Sequence, residues 1–150
     1  MANEVSVKTN RENVKIRPYE HRTKYYEAGP QRVIHHSYYM NWLENARMDL
    51  MTQLGLGNKQ MEVMEIMSPE LSVSIDFRSA VHFDETVMIE TKLLDYDGHE
   101  MEIAYRIYDK ATGEDRAVAR SKHCFVNNSG VPISLKRVYP ELDTKFFEFN

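Results

Sequence analysis

Apolar and polar positions alternate along this chain with two different periods, and the change of period divides it. From Ser37 to Leu54, apolar side chains recur at Tyr39, Trp42, Leu43, Ala46, Leu50 and Leu54. That three- and four-residue spacing describes one face of a helix. Ser37 is placed to cap its start, and Gly55 and Gly57 stop it. A second short helix or loop covers Asn58 to Met64. Beyond it the period drops to two. Leu71, Val73, Ile75 and Phe77 alternate with Ser72, Ser74, Asp76 and Arg78, and Val87, Ile89, Thr91 and Leu93 repeat the pattern. An Asp95-Tyr96-Asp97-Gly98 turn leads into a strand through Ile103, Tyr105 and Ile107. After a turn at Ala111-Thr112-Gly113, a strand runs from Ala117 to Val126 and closes at Asn128-Ser129-Gly130. The segment from Ser134 to Phe149 reads as a short helix interrupted by Pro140. Ahead of the long helix, Lys15 to Glu27 reads as a first strand, broken by Gly29 and Pro30. Residues 1–14 are polar and read as a loose arm, leaving 15–150 as one domain.

One strand, one long helix and a run of antiparallel strands make an α+β arrangement. A sheet with one apolar face buries it by curling around the helix. It also keeps edge strands, which pairing between subunits would cover. Composition changes little in this picture. At 150 residues, 42% apolar and 28% charged, the chain is an ordinary globular domain, large enough to bury a core without a metal or disulfide staple. The single cysteine, Cys124, forbids an intrachain disulfide. A net charge of -4 argues against non-specific nucleic-acid binding. Arg78, Lys122, Lys136 and Arg137 are first read as solvated surface residues, with phosphate contact as the competing reading. No apolar run is long enough for a membrane span and Met1 to Asn10 carries no signal-peptide core, so a cytoplasmic protein is expected.

The stretch Tyr25 to Arg47 reads YYEAGPQRVIHHSYYMNWLENAR. Its His36, Tyr39, Trp42, Glu44, Ala46 and Arg47 resemble the opening of the 4-hydroxybenzoyl-CoA thioesterase-like branch of the hotdog-fold superfamily. Ser121 to Glu141 is similar to the last strand and tail of bacterial members. The resemblance implies an antiparallel sheet wrapped around the long helix. It implies subunits paired side by side as a homodimer, or as a homotetramer of two dimers, with sites at the interface. It also implies hydrolysis of an acyl-CoA thioester without metal or redox cofactor. The alternative is a catalytically weak or inactive domain that binds acyl thioesters of CoA or of acyl carrier protein.

Thioester hydrolysis needs a carboxylate that attacks the carbonyl or activates water, and donors for the oxyanion. In this family the helix N-terminus polarises the carbonyl. Here it carries His36, Ser37 and Tyr39, with unpaired backbone N–H groups expected. The family's usual Asp, seven residues before the His, is Gly29, and the glycine three residues later is Arg32. Two other acids stand close in sequence. Glu44 lies eight residues after His36, with a structural ion pair to Arg47 as the competing reading. Glu27 lies two residues before Gly29, with an exposed strand position as the competing reading. His36 orients substrate or water, or else packs structurally. Adjacent His35 and His36 without further ligands make a poor metal site.

Overall fold

The computed structural model describes residues 5–8 and 13–149. Residues 1–4 and 9–12 of the predicted arm lie outside the described residues. The described part of the arm enters a small antiparallel pair, β1 (Val5–Lys8) with β2 (Asn13–Ile16). The single strand predicted over Lys15–Glu27 is divided into β2, β3 (Tyr19–Arg22) and a 3-10 turn at Tyr25–Glu27. The break between the strands falls at Pro18, which has no N–H to give a ladder and restricts Arg17 before it. Arg17 is tied instead to Gln53: its N–H donates to Oε1 at 2.8 Å, and its carbonyl accepts from Nε2 at 2.9 Å.

The long helix, α1 (Ser37–Gln53), matches its predicted span to within a residue. It buries Tyr39, Trp42, Leu43, Ala46 and Leu50, the periodic positions read from the sequence. The cap differs from expectation: Ser37 is the first helical residue and His36 occupies the N-cap position. A short α2 (Asn58–Val63) follows, and β4 (Ile66–Met67) pairs with the distant β9 (Val126–Asn127). The remaining strands are β5 (Glu70–Phe77), β6 (Thr86–Tyr96), β7 (Glu100–Asp109) and β8 (Asp115–Cys124). The predicted turn at Asp95 shifts onward, because β6 continues to Tyr96, past a register change between Leu93 and Asp95. The predicted strand 117–126 is split into β8 and β9. The tail forms α3 (Leu135–Val138) and α4 (Pro140–Phe149), so Pro140 starts a helix, where its missing N–H costs nothing.

The main sheet is antiparallel in the order β3-β6-β7-β8-β5. Odd-numbered positions of β6, β7 and β8 face α1. Val87, Ile89, Ile103, Ile107 and Ala117 are wholly buried and share one core with Trp42, Leu43 and Leu50. Even-numbered positions carry outward ion pairs, such as Arg106 with Glu90 and Arg120 with Glu102. A satellite cluster joins Phe146 of α4 to Tyr96 and Phe125, and the Tyr96 hydroxyl donates to Asp143 at 2.7 Å.

Two features of this sheet bear on function. First, β5 hydrogen-bonds to β8 on one side only. Its Leu71 and Phe77 are 53% and 52% exposed, so an apolar edge is left uncovered. Second, a polar chain runs through the core, from the Tyr105 hydroxyl to Ser121 Oγ (2.7 Å) and on to His123 Nε2 (2.8 Å). His123 is fully buried, and its Nδ1 has no hydrogen-bond partner among the described residues. Burial, with a contribution from the Arg47 charge, pushes its pKa down from 6.5 to about 4. The unfolded chain therefore binds a proton that the fold refuses. Between about pH 6.5 and about pH 4, stability falls as pH falls, and below that window this contribution levels out. Urea denaturation at pH 7.5, 6 and 5 should show a declining midpoint, and His123→Gln should flatten that slope. A slope unchanged by the substitution would mean that other groups govern acid sensitivity.

Candidate active site

The segment between β3 and α1 folds into a compact loop, closed on itself by the Gly29 N–H donating to the Val33 carbonyl at 2.7 Å. It is pinned to the strand-like segment ahead of β6, where the Ile34 N–H donates to Val81 O and the Phe83 N–H to Arg32 O. Gln31 and Arg32 adopt left-handed backbone, with φ of 58° and 63°. Non-glycine residues in that region each cost on the order of 1 kcal/mol. The loop thus keeps a bend that suits the glycine expected at position 32, with arginine there instead. Gly29 itself has φ −102° and ψ −153°, an extended conformation open to any residue, and not the left-handed one that would exclude Asp. A Cβ there would meet only the Val33 carbonyl oxygen, at an ordinary 3.5 Å.

Glu27 holds this loop against the helix. It is 3% exposed, not an outward strand residue. One carboxylate oxygen accepts from His21 Nε2 (3.0 Å) and the Lys24 N–H (2.7 Å); the other accepts from Trp42 Nε1 (2.9 Å). Burial pushes the Glu27 carboxyl up, but the hydrogen bonds from His21, Trp42 and Lys24 outweigh it and hold it below its ordinary value. With both oxygens engaged and out of contact with solvent, Glu27 is built to anchor.

Above this anchor lies a cavity of about 520 Å³. Gly29, Pro30, His35, His36 and Tyr39 line one side of it, and Phe77, Arg78, Ser79 and Ala80 the other. The helix start offers fewer free donors than expected. The Ser37 N–H is taken by His35 Nδ1 (3.2 Å), the Tyr38 N–H by His35 O and the Tyr39 N–H by His36 O (both 3.1 Å). The His36 N–H makes no hydrogen bond among the described residues, and neither does the N–H of Ala80, which also lines the cavity. Ser37 is exposed and bonded to His35 (2.8 Å), while Tyr39 is buried, with Phe77 edge-on to its ring. Of the candidates named from sequence, His36, Gly29 and Tyr39 meet in this cavity, and Ser37 and Glu27 do not line it. None of the described residues lining it is a carboxylate.

Glu44 faces elsewhere. Its side chain is 55% exposed and accepts from Arg47 at 3.2 Å. Both line a second cavity, of about 640 Å³, walled by Met48, Met51, Leu56, Met61, Ile66 and Met67. The one sequence signal of this methionine-rich wall is abundance, with nine methionines in the chain.

A model of the Thioesterase-like superfamily matches residues 30–145. YneP of Bacillus subtilis, whose name carries an inferred acyl-CoA thioesterase activity, is 30% identical over 82% of this chain and 89% of its own length. A DHNA-CoA thioesterase from Staphylococcus aureus superposes with a TM-score of 0.82 at 24% identity, covering 87% of this chain and 88% of that one. Another Staphylococcus aureus protein, solved in complex with CoA, superposes at 0.77 with 10% identity, covering 89% and 84%. These two likenesses establish the shared fold.

The anchor makes a measurable demand. Glu27→Ala would strand the Trp42 N–H and His21 in the interior, and breaking a buried polar pair commonly costs about 3 kcal/mol or more. Glu27→Gln, which keeps one acceptor, should cost less. Thermal denaturation followed by Trp42 fluorescence should rank the proteins wild type, Gln, Ala. Equal melting temperatures would show that the anchor is dispensable.

Proposed function

The chain belongs to the Thioesterase-like superfamily, and on that premise we propose that it hydrolyses acyl-CoA thioesters to the free acid and CoA. The observation that supports this reading is the cavity at the start of α1, lined by His36, whose N–H has no partner among the described residues and could serve a developing oxyanion. Arg78, exposed at the rim and without an ion pair among the described residues, suits a phosphate of CoA.

The same reading takes the working protein to be a homodimer, or a tetramer of dimers. The uncovered apolar edge of β5 supports this: an edge strand with half-exposed Leu71 and Phe77 is a template for a second copy. Two such edges related by a two-fold axis pair antiparallel, so each end of one β5 meets the opposite end of the other. The C-terminal end, from Phe77, borders the first cavity, and the lead-in at Met67 and Ser68 borders the second. Pairing would therefore bring the first cavity of one subunit beside the second cavity of its partner. The partner's Glu44 then becomes the carboxylate of the site, while Gly29 leaves room for the thioester where relatives of the 4-hydroxybenzoyl-CoA thioesterase type carry an acid. Within one subunit, the absence of a carboxylate lining the first cavity favours the second reading, a domain that binds acyl thioesters without turnover.

A panel of acyl-CoAs with free-thiol detection separates the two readings. Hydrolysis is expected; binding without thiol release from any member would leave the binding reading. Glu44→Gln should lower turnover on the order of 100-fold or more while leaving assembly intact. Gly29→Asp, which the backbone accommodates, should lower activity if the partner's Glu44 is the carboxylate, because the new side chain takes space the thioester needs; a gain would instead return the acid to the family's usual position.

A mixing experiment tests the arrangement across the dimer. Gly29→Trp blocks the first cavity, and Glu44→Gln disables the second. If each site uses both subunits, co-assembled equal amounts of these two inactive variants should recover about a quarter of wild-type activity, because half the dimers are mixed and each mixed dimer has one intact site. No recovery would mean that Glu44 does not act across the interface.

A further inference from the structure

Arg47 and Glu44 stand one turn apart on α1 and form an ion pair whose partners are unequally placed. The Arg47 side chain is 10% exposed and that of Glu44 55%. A pair on the solvated face of a helix contributes little and fixes neither partner. A buried guanidinium is different. Its removal from water is costly, and the packing and polar groups that sustain it also hold it still. Beside it runs the uncharged chain from Tyr105 through Ser121 to His123. The charge of Arg47 is felt at both ends of that chain. Burial, aided by Arg47, pushes His123 down to about 4, so no second cation forms there at neutral pH. Glu70, at the start of β5, also feels Arg47 but makes no hydrogen bond to it among the described residues. Among those residues, Glu44 is therefore the side chain that Arg47 binds.

This asymmetry has a consequence for the carboxylate. A glutamate on an exposed helix face exchanges rotamers freely. Here a cation fixed in the wall of the cavity that both residues line holds the Oε2 atom at 3.2 Å. The Oε1 atom makes no hydrogen bond among the described residues, so one oxygen is held and the other is free. A carboxylate that meets a substrate carried by another subunit depends on such a restraint, because a misplacement of about 1 Å can cost about 100-fold in rate.

We propose that Arg47 is a positioning residue for the thioester reaction: fixed in the wall of the second cavity, it holds one oxygen of Glu44 and leaves the other directed to the thioester bound by the partner subunit. This rests on the thioester reading above, with Glu44 acting across the interface, and adds the group that sets the direction of Glu44.

Two measurements test this, one without turnover and one with it. In the wild-type dimer, three-bond NMR couplings of the Glu44 side chain should report one rotamer, and in Arg47→Met they should report averaging. With an acyl-CoA that the wild type hydrolyses, Arg47→Met should lower kcat at least about tenfold, the effect of one hydrogen bond between charged groups, and leave KM within about twofold. Arg47→Lys should restore part of the loss, because Glu44 receives a single N–H from this side chain. Should Arg47→Met not assemble, Arg47→Gln, uncharged and shorter, takes its place with the same expectations. Subunit mixing separates positioning from folding. Arg47→Met with Gly29→Trp should recover about a quarter of wild-type activity, because each mixed dimer keeps one site with Gly29 and the Arg47–Glu44 pair intact. Arg47→Met with Glu44→Gln should recover nothing, since both changes fall in the same half of a site. Averaged couplings in the wild type would overturn the proposal. So, in a protein that hydrolyses acyl-CoA, would an unchanged kcat, a loss confined to KM, no recovery in the first mixture or recovery in the second. No hydrolysis of any acyl-CoA by the wild type, with a single Glu44 rotamer that Arg47→Met releases, would instead overturn the thioester reading and leave Arg47 as the group that holds Glu44.

Discussion

The buried carboxylate of Glu27 is the point on which the functional half of the molecule turns. It sits where β3, the loop and α1 meet, and it accepts from one group of each neighbourhood: His21 on the strand, the Lys24 N–H at the turn and Trp42 on the helix. Removing a carboxylate from water is expensive, and the cost is offset only when its oxygens are fully engaged. That requirement admits few arrangements. It fixes the rotation of α1 through the indole, and it fixes where the chain enters the loop, because the Glu27 carbonyl accepts from the His35 N–H at 3.0 Å. The helix start and the cavity above it are thereby held in one relation to the sheet. Pre-positioning of this kind lets an oxyanion donor act without reorganising.

The loop held by this anchor carries strain in one place and freedom in another. Gln31 and Arg32 occupy left-handed backbone without being glycine, while Gly29 occupies extended backbone without needing to be. The bend is thus retained at a cost, and the position facing the cavity has been opened. An open position has a physical use if the reacting carboxylate comes from another direction, since a side chain there would compete for the same space.

That other direction is suggested by what the monomer leaves unfinished. A five-stranded sheet around one helix covers its core, yet β5 keeps an unpaired apolar edge, and both cavities open at its two ends. Burying such an edge against a second copy removes apolar surface from water and satisfies a row of backbone groups in one step.

The sequence by itself determined the elements and their order. The helix over Ser37–Gln53 follows from a periodicity that no strand satisfies, and the later strands follow from strict alternation, because burial on one face imposes a period on either element. The motif from His36 to Arg47 was equally legible and pointed to the family. Boundaries were less so: Pro18 divided a segment that composition alone joined, and Ser37 yielded the cap position to His36. Only tertiary structure decided what the acids do. Glu27 and Glu44 look alike in sequence, both charged and both near the motif. One is buried because three donors from separate parts of the chain converge on it, and the other opens into a different cavity two turns along the helix. Convergence of that kind depends on contacts between residues far apart in the chain, which local pattern does not encode. The role of a polar side chain is set by the partners that reach it, whereas its secondary structure is set by its neighbours in sequence.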